Sequence, residues 1–372
     1  MAALSGKAVL ALDECGPGAP GGTVTCAPSG NSFPNGIQYK VDDLTIVVED
    51  GVVIDTTTKA NEPGGIISGG DGDYGSLTVK AGTAAGGGVT ITTDADNAEG
   101  IEASTDKGDV AISFTGRITT GGDAATGIEG FSKEDGDVTI SGAGAISTSG
   151  DNAIGLFAGA GDGAVSVTWT GDISTAGNMA DALRADAAGK ISILIKGDVT
   201  AAAGSGIRAS SNTGDIDIDS AGDIRAGQGA GIVATTEGAI AIISTGDIST
   251  GGTGSAGIYA QSDKDNVSIT TTGDIATLKI NSDGIAALAK DGAVFVASTG
   301  DIITAGASSE GIAAAALGEG VTISHLGDIT TTGTDSTGIS GYSKIDLVSI
   351  TSSGSIATAG LNAGGIAASG ST

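Results

Sequence analysis

Apolar residues recur along this chain with a period of two, in runs too short for helices. Gly-Ile or a close variant starts at Gly100, Gly127, Gly155, Ala182, Gly206, Gly231, Gly257, Gly284, Gly311, Gly338 and Gly365, at intervals of 24 to 28 residues. Three alternating segments lie within each interval. In the first, a large apolar residue precedes a small one by two positions, as in Ile207/Ala209 and Ile258/Ala260. The second pairs two β-branched residues, as in Val138/Ile140 and Val267/Ile269; the third is "TGDIST" or a relative, as in Ile248/Thr250. Alternation with β-branched enrichment predicts strands, and the glycines between them supply corners. No 3.6-residue pattern is sustained.

Three short strands per ~27 residues form one coil of a β-helix. The sequence therefore predicts an all-β fold, a right-handed parallel β-helix (β-solenoid). Hand is taken from coil size, because left-handed forms use coils of about 18 residues. Residues 100–372 form a regular β-helix of ten coils, and residues 44–99 form irregular first coils that do not keep the step. Residues 1–43, holding the cysteine pair and most of the prolines, read as a cap over the open end of the sheet stack. The chain stops within an eleventh coil, at "GGIAASGST". No C-terminal cap is recognisable, which suggests truncation or continuation into a partner.

Composition narrows the function. With 67 glycines and 3% aromatics, the interior must be thin and filled by small and β-branched residues. The chain carries 16 basic and 44 acidic residues, net −28, which argues against nucleic acid and anionic membrane surfaces as partners and favours cations. Cys15 and Cys26 are the only cysteines. They read as one local disulfide, hence an oxidising compartment, with free thiols or half a metal site as alternatives. No apolar run reaches membrane-spanning length. The first residues, "MAALSGKAVLALDECG", could be the tail of a signal peptide but are not a convincing one.

The phrase "TGDIST…G…GIYA", together with "DDLTIVVEDGVVID" (42–55) after a paired-cysteine stretch, resembles the passenger regions of Gram-negative autotransporters and related β-strand-repeat surface proteins. The resemblance covers about residues 40–372. It implies export, a β-helical passenger, and display or release at the outer surface of a Gram-negative cell. Such proteins end in a membrane barrel. This chain holds none, so membrane anchoring would need a region outside it.

Candidate chemistry begins with an aspartate column: Asp172, Asp198, Asp223, Asp247, Asp274, Asp301 and Asp328, with Arg117 and Ala145 at the equivalent positions of the first two coils and Ser355 in the last. Neighbouring carboxylates one coil apart repel by roughly 1 kcal/mol in water. Two readings offset this: a corner in which each carboxylate accepts a backbone N–H, or a row of bound Ca²⁺. No other cofactor is implied. "GGDGDYG" (69–75) resembles half of a calcium-binding nonapeptide but occurs once. Asp215, Asp217 and Asp219 should project outward; they could serve polysaccharide chemistry, but the long loops of such enzymes are missing and a solvated face is the simpler reading. No catalytic residue is assigned, and His325 is expected to be an exposed strand-end residue. Asn266-Val267-Ser268 matches a glycosylation acceptor inside a strand, an accidental match on this reading.

The threonine column Thr120, Thr148, Thr175, Thr250, Thr277, Thr304, Thr331, Thr358 shares parity with the inward isoleucines, so it should face the interior or a corner, and ice binding is disfavoured. One coil departs from polar-outside patterning: Ala286, Leu288, Phe295, Ala297 and Ile303 are predicted outward and apolar, a candidate partner contact. The expected function is a non-enzymatic secreted or surface-displayed stalk, spacer or adhesin contacting a host or neighbouring cell. A self-assembling filament or matrix protein and a polysaccharide-acting enzyme are the alternatives.

Overall fold

A computed structural model describes residues 14–58, 64–69 and 75–371. It is a parallel β-solenoid with three strands in each regular coil; among the described residues the only helical turn is the three-residue Pro28–Gly30. The first strands of successive coils stack into a sheet of 13, from Ile37–Tyr39 to Ile366–Ser369. The second and third strands together form a sheet of 23. Inter-coil pairing is parallel and keeps register, with one shift between Thr175 and Asn178: Ile258 lies between Ile232 and Ile285, Ile269 between Ile242 and Val296, and Ile275 between Ile248 and Ile302.

Each coil has one thin layer of core. In the coil beginning at Gly257, Ile258, Ala260, Val267, Ile269 and Ile275 are all at most 1% exposed. These side chains cannot cover one another within a single coil, so burial comes from the coils above and below. The inward threonines are buried as well. Thr250, Thr277, Thr304 and Thr331 each donate from Oγ1 to the carbonyl five residues on, at 2.5 to 3.1 Å, pinning the corner that follows the third strand. That corner turns through a left-handed residue in most coils, Asn152, Asn281, Asp335 and Asn362 among them (φ 54–58°). Asn and Asp tolerate this conformation better than most residues.

One glycine column is fixed by close approach. Gly273 adopts φ +125°, and a Cβ there would stand 2.3 Å from the Gly246 carbonyl oxygen; Gly300 repeats the arrangement against Gly273. The glycine of "TGD" is therefore a contact between coils as well as a corner.

Regular stacking starts earlier than the 27-residue step indicates. Within the segment expected to be only a cap, Thr23–Cys26 pairs with Thr45–Val48 and Ile37–Tyr39 with Ile66–Gly69. The steps from Ile37 to Ile66 (66 − 37 = 29) and on to Ile101 (101 − 66 = 35) are longer than later ones, with the extra residues between strands. Cys15 and Cys26 are joined as a disulfide. Above the first coil, the Tyr39 hydroxyl donates to the Gly16 carbonyl (2.9 Å) and accepts from the Cys15 N–H (3.2 Å). The Tyr39 ring leaves room for nothing larger than glycine at Gly18.

The stacked core predicts a sharp contrast within one strand. Ile269→Ala, at a 1% exposed site, should lower stability by about 2–5 kcal/mol, whereas exposed Thr270→Ala should change it by less than about 0.5 kcal/mol. Denaturation midpoints compared at equal slope measure both.

Candidate functional site

The acidic column forms a hydrogen-bonded ladder along the corner between the second and third strands. The backbone N–H of each aspartate donates to Oδ1 of the aspartate one coil earlier: Asp198 to Asp172, Asp223 to Asp198, Asp247 to Asp223, Asp274 to Asp247, Asp301 to Asp274 and Asp328 to Asp301, at 2.8–3.0 Å. Ser355 N–H closes the series on Asp328. The strand ladder resumes one residue on, where Ile275 N–H donates to the Asp301 carbonyl. At the corner the preceding coil offers the aspartate N–H a side-chain acceptor, and its carboxylate takes that role. The acceptor thus comes from the neighbouring coil rather than from an Asx-turn within one corner. Bonding of this kind holds the Asp328 carboxyl below the usual carboxylate range, the Ser355 backbone contact being the main cause. Where Arg117 and Ala145 replace the aspartate, the second and third strands run on as single 11-residue strands, Val110–Thr120 and Val138–Thr148.

One oxygen of each carboxylate from Asp172 to Asp328 is thereby committed to an N–H, and Arg225 pairs with Asp223 (2.6 Å) and more loosely with Asp198 (3.8 Å). Among the described residues, no group of three or more His, Cys, Asp and Glu side chains is gathered closely enough to hold a metal ion. "GGDGDYG" lies mostly outside the described residues.

The second acidic cluster disperses. Asp215 precedes its strand and accepts the Ala239 N–H (2.9 Å), Asp217 pairs with Lys190 (2.6 Å), and Asp219 is exposed. Asp217 and Asp219 border a shallow depression of about 410 Å³ with Ser166, Leu194 and Ile243, not a walled cleft. Asn266 repeats the corner pattern, its Oδ1 accepting the Ala293 N–H (2.8 Å).

The apolar coil points outward as predicted, but in different directions. Ala286 and Leu288 lie on the 13-stranded sheet beside Tyr259, Ala313 and Ala315, while Phe295, Ala297 and Ile303 lie on the 23-stranded sheet. There Phe295 stands between Ser268 and Thr322, and Ile303 between Ala276 and Thr330. The five residues do not form one flat patch.

His325 departs from the expected exposed position: it is 2% exposed, and neither ring nitrogen has a hydrogen-bond partner. The second strand is longer than its two β-branched residues indicate and contributes a third inward position. In earlier coils Phe114 and Trp169 fill that position, their rings stacked at 6.2 Å across Gly142, which has no side chain to part them. Further on it holds Ser220, Ser244, Thr271, Ser298, His325 and Ser352 in register. Ser220 donates to Ser244 (3.1 Å), but the hydroxyls of Thr271, Ser298 and Ser352 are unpaired. Burial holds the His325 imidazole below its ordinary pKa.

Sequence reasoning also missed a set of part-buried acids. Burial raises Glu99, Glu129 and Glu310 to about 7, and Asp283 is raised for the same reason. Glu102 lies opposite Glu129 in register and adds to the shifts of Glu99 and Glu129. Glu129 stands at an outward first-strand position, where other coils have Tyr259, Ala286 or Ala313, whereas Glu99, Asp283 and Glu310 stand directly before the repeat's glycine, where other coils have Thr126, Ala256 or Thr337.

Comparison with protein-family models, with curated proteins and with solved structures returned no match.

The ladder predicts that Asp247→Ala, which leaves the Asp274 N–H without its acceptor, lowers stability by about 1 kcal/mol. Asp247→Asn keeps an acceptor and removes a charge, so its thermal midpoint should match or exceed the wild type. In the internal column, Thr271→Val removes an unpaired buried hydroxyl at nearly constant shape and should stabilise by about 1 kcal/mol in denaturant titrations.

The pH profile follows from the shifted groups. Glu99, Glu129 and Glu310 keep protons in the folded chain that the unfolded chain releases above about 4.5, so folding is favoured at low pH and loses stability as pH rises to about 7. His325 acts oppositely, its penalty growing below 6.5 as the unfolded imidazole takes up a proton. With three groups against one, the melting temperature should fall between pH 5 and pH 8. Glu129→Gln should flatten that fall.

Proposed function

We propose that this chain is a non-enzymatic, secreted or surface-displayed β-solenoid of the autotransporter-passenger type, working as a stalk, spacer or adhesive surface outside a Gram-negative cell. The observation that carries this reading is the unbroken stack itself. Thirteen first-face strands in register make a rod on the order of 60 Å long, with a continuous core along its length. A covalently continuous parallel stack resists bending and sets a distance, which is what a spacer requires. The net charge of −28 keeps neighbouring rods apart at low salt. The acids of the column are engaged in corner bonds, and the disulfide Cys15–Cys26 fits an oxidising compartment.

One observation favours self-association as a second reading. In the last described coil, Val348, Ile350 and Ile356 are only partly buried and Ile366 is 52% exposed, so its three strands offer a free apolar edge. Whatever extends the solenoid, further chain or a second molecule, adds there. At the other end, the contacts of Tyr39 with Cys15 and Gly16 cover the first coil, which disfavours head-to-tail filaments.

Removing residues 257–310 joins Ala256 to Gly311 and excises two coils in register. The shortened protein should remain folded, and electron microscopy should show isolated rods about 10 Å shorter. Aggregation or unfolding of this variant would sink the spacer reading. Fibres of the intact protein would favour self-assembly.

A further inference from the structure

On the outward side of the 13-stranded sheet, five adjacent coils carry a grid of side chains unlike the rest of the rod. In coil order, its rows are Glu102 and Ser104, Glu129 and Phe131, Phe157 and Gly159, Arg184 and Asp186, Arg208 and Ser210. The two phenylalanine rings stack at 6.5 Å, inclined by 20°. A Cβ at Gly159 would fall 2.7 Å from Phe131 and 2.9 Å from Phe157, so both rings rest over the bare backbone of that glycine. The result is a stacked aromatic pair, half-buried on the outer side of the sheet, with the Arg184 guanidinium over the Phe157 ring.

Polar groups flank it on both sides along the rod axis. Arg184 sits 5.9 Å from the centre of the Phe157 ring and pairs through Nε with Asp186 (2.7 Å). Arg208 pairs through Nε with Asp181 (2.9 Å), itself 8% exposed, and through Nη2 with Ser205. Both guanidinium groups keep further N–H donors for solvent. On the other side, Glu102 accepts from Ser104 (3.0 Å) and Glu129 lies beneath Phe157. Two depressions continue the surface. One of about 380 Å³ reaches from Phe131 past Glu102 toward Lys40, and one of about 480 Å³ is lined by Arg184, Arg208, Asn152 and Gln228. The second lies where the coils shorten to 24 and 25 residues, at Ala182 and Gly206.

We propose that this strip binds an extended, uncharged oligosaccharide lying along the rod axis, with one sugar ring packed against the exposed side of the Phe131–Phe157 pair. The chemistry of the strip selects that class. Sugar rings present C–H faces that pack on aromatic rings, and hydroxyls that both donate and accept. Carboxylates on one side and guanidinium donors on the other answer both roles. Glu102, Asp181 and Asp186 outnumber the two arginines, and Glu99 and Glu129 add charge as pH rises through about 7, so an anionic glycan would be repelled where a neutral one is not. The proposal rests on the adhesive part of the function proposed above and names its ligand class.

The test is binding of purified protein to an array of neutral glucan, mannan, galactan and N-acetylglucosamine oligomers, printed beside uronic-acid and sialylated chains. The wild type should bind at least one neutral series. Phe131→Ala combined with Phe157→Ala should weaken that binding at least tenfold, and Arg208→Gln should weaken it measurably. Phe295→Ser, on the other sheet, should leave it unchanged, with circular dichroism confirming that each variant is folded. Binding to none of the neutral series, preference for the acidic chains, or full binding by the double phenylalanine variant would overturn the proposal. Rods that persist in electron microscopy without glycan binding would remove the ligand assignment and leave the spacer reading standing; loss of the rod would remove the spacer reading itself.

Discussion

Everything in this protein depends on one constraint: each strand must lie in parallel register on its counterpart one coil away. A coil of about 27 residues has too little apolar surface to enclose itself. Its Ile and Val side chains become buried only when equivalent positions stack at strand spacing. Identical or near-identical residues therefore recur in columns, such as Ile232, Ile258 and Ile285. The same register brings backbones together at corners, so the "TGD" glycine is required by the coil beside it.

Columns also align groups that repel. Seven aspartates run down one corner, and the structure uses the carboxylates as backbone acceptors where the strand ladder is interrupted. Each charge thereby gains a bond to a neighbouring N–H, and the second oxygens of Asp198 and Asp223 meet Arg225. Where Arg117 and Ala145 take the position, the chain passes the corner as one strand. The aspartate thus shapes the corner as well as contributing charge. The outward faces are freer, because no coil needs a particular residue there. The stacked Phe131–Phe157 pair and the part-buried glutamates are departures that stacking permits without requiring them.

Much of the fold was legible in the chain. Period-two segments, their order within the repeat and the inward parity of Ile, Val and Thr all follow from stacking, which writes the structure into the sequence as periodicity. The cysteine pair was legible too. Two features were not. Coils before Gly100 are longer by insertions between strands, so Ile37 and Ile66 do not fall on the 27-residue step although their strands pair. His325 reads as a strand-end residue because the third inward position of the second strand holds Phe, Gly, Trp, Ile, Ser, Thr and His in different coils, which leaves no apolar alternation to follow.

The sequence by itself determined the coil, its three strands, which side chains face inward and where the acidic corner runs, because these are consequences of local alternation repeated at a fixed step. Tertiary structure decided what touches across coils. It set the N–H that each aspartate accepts, the unpaired hydroxyls beside a buried histidine, the separation of five apolar residues onto different sheets, and the two rings lying over Gly159. Such contacts join residues about 27 positions apart on neighbouring layers. Only inter-coil register, with the small offsets of each corner, fixes which atoms come within bonding distance.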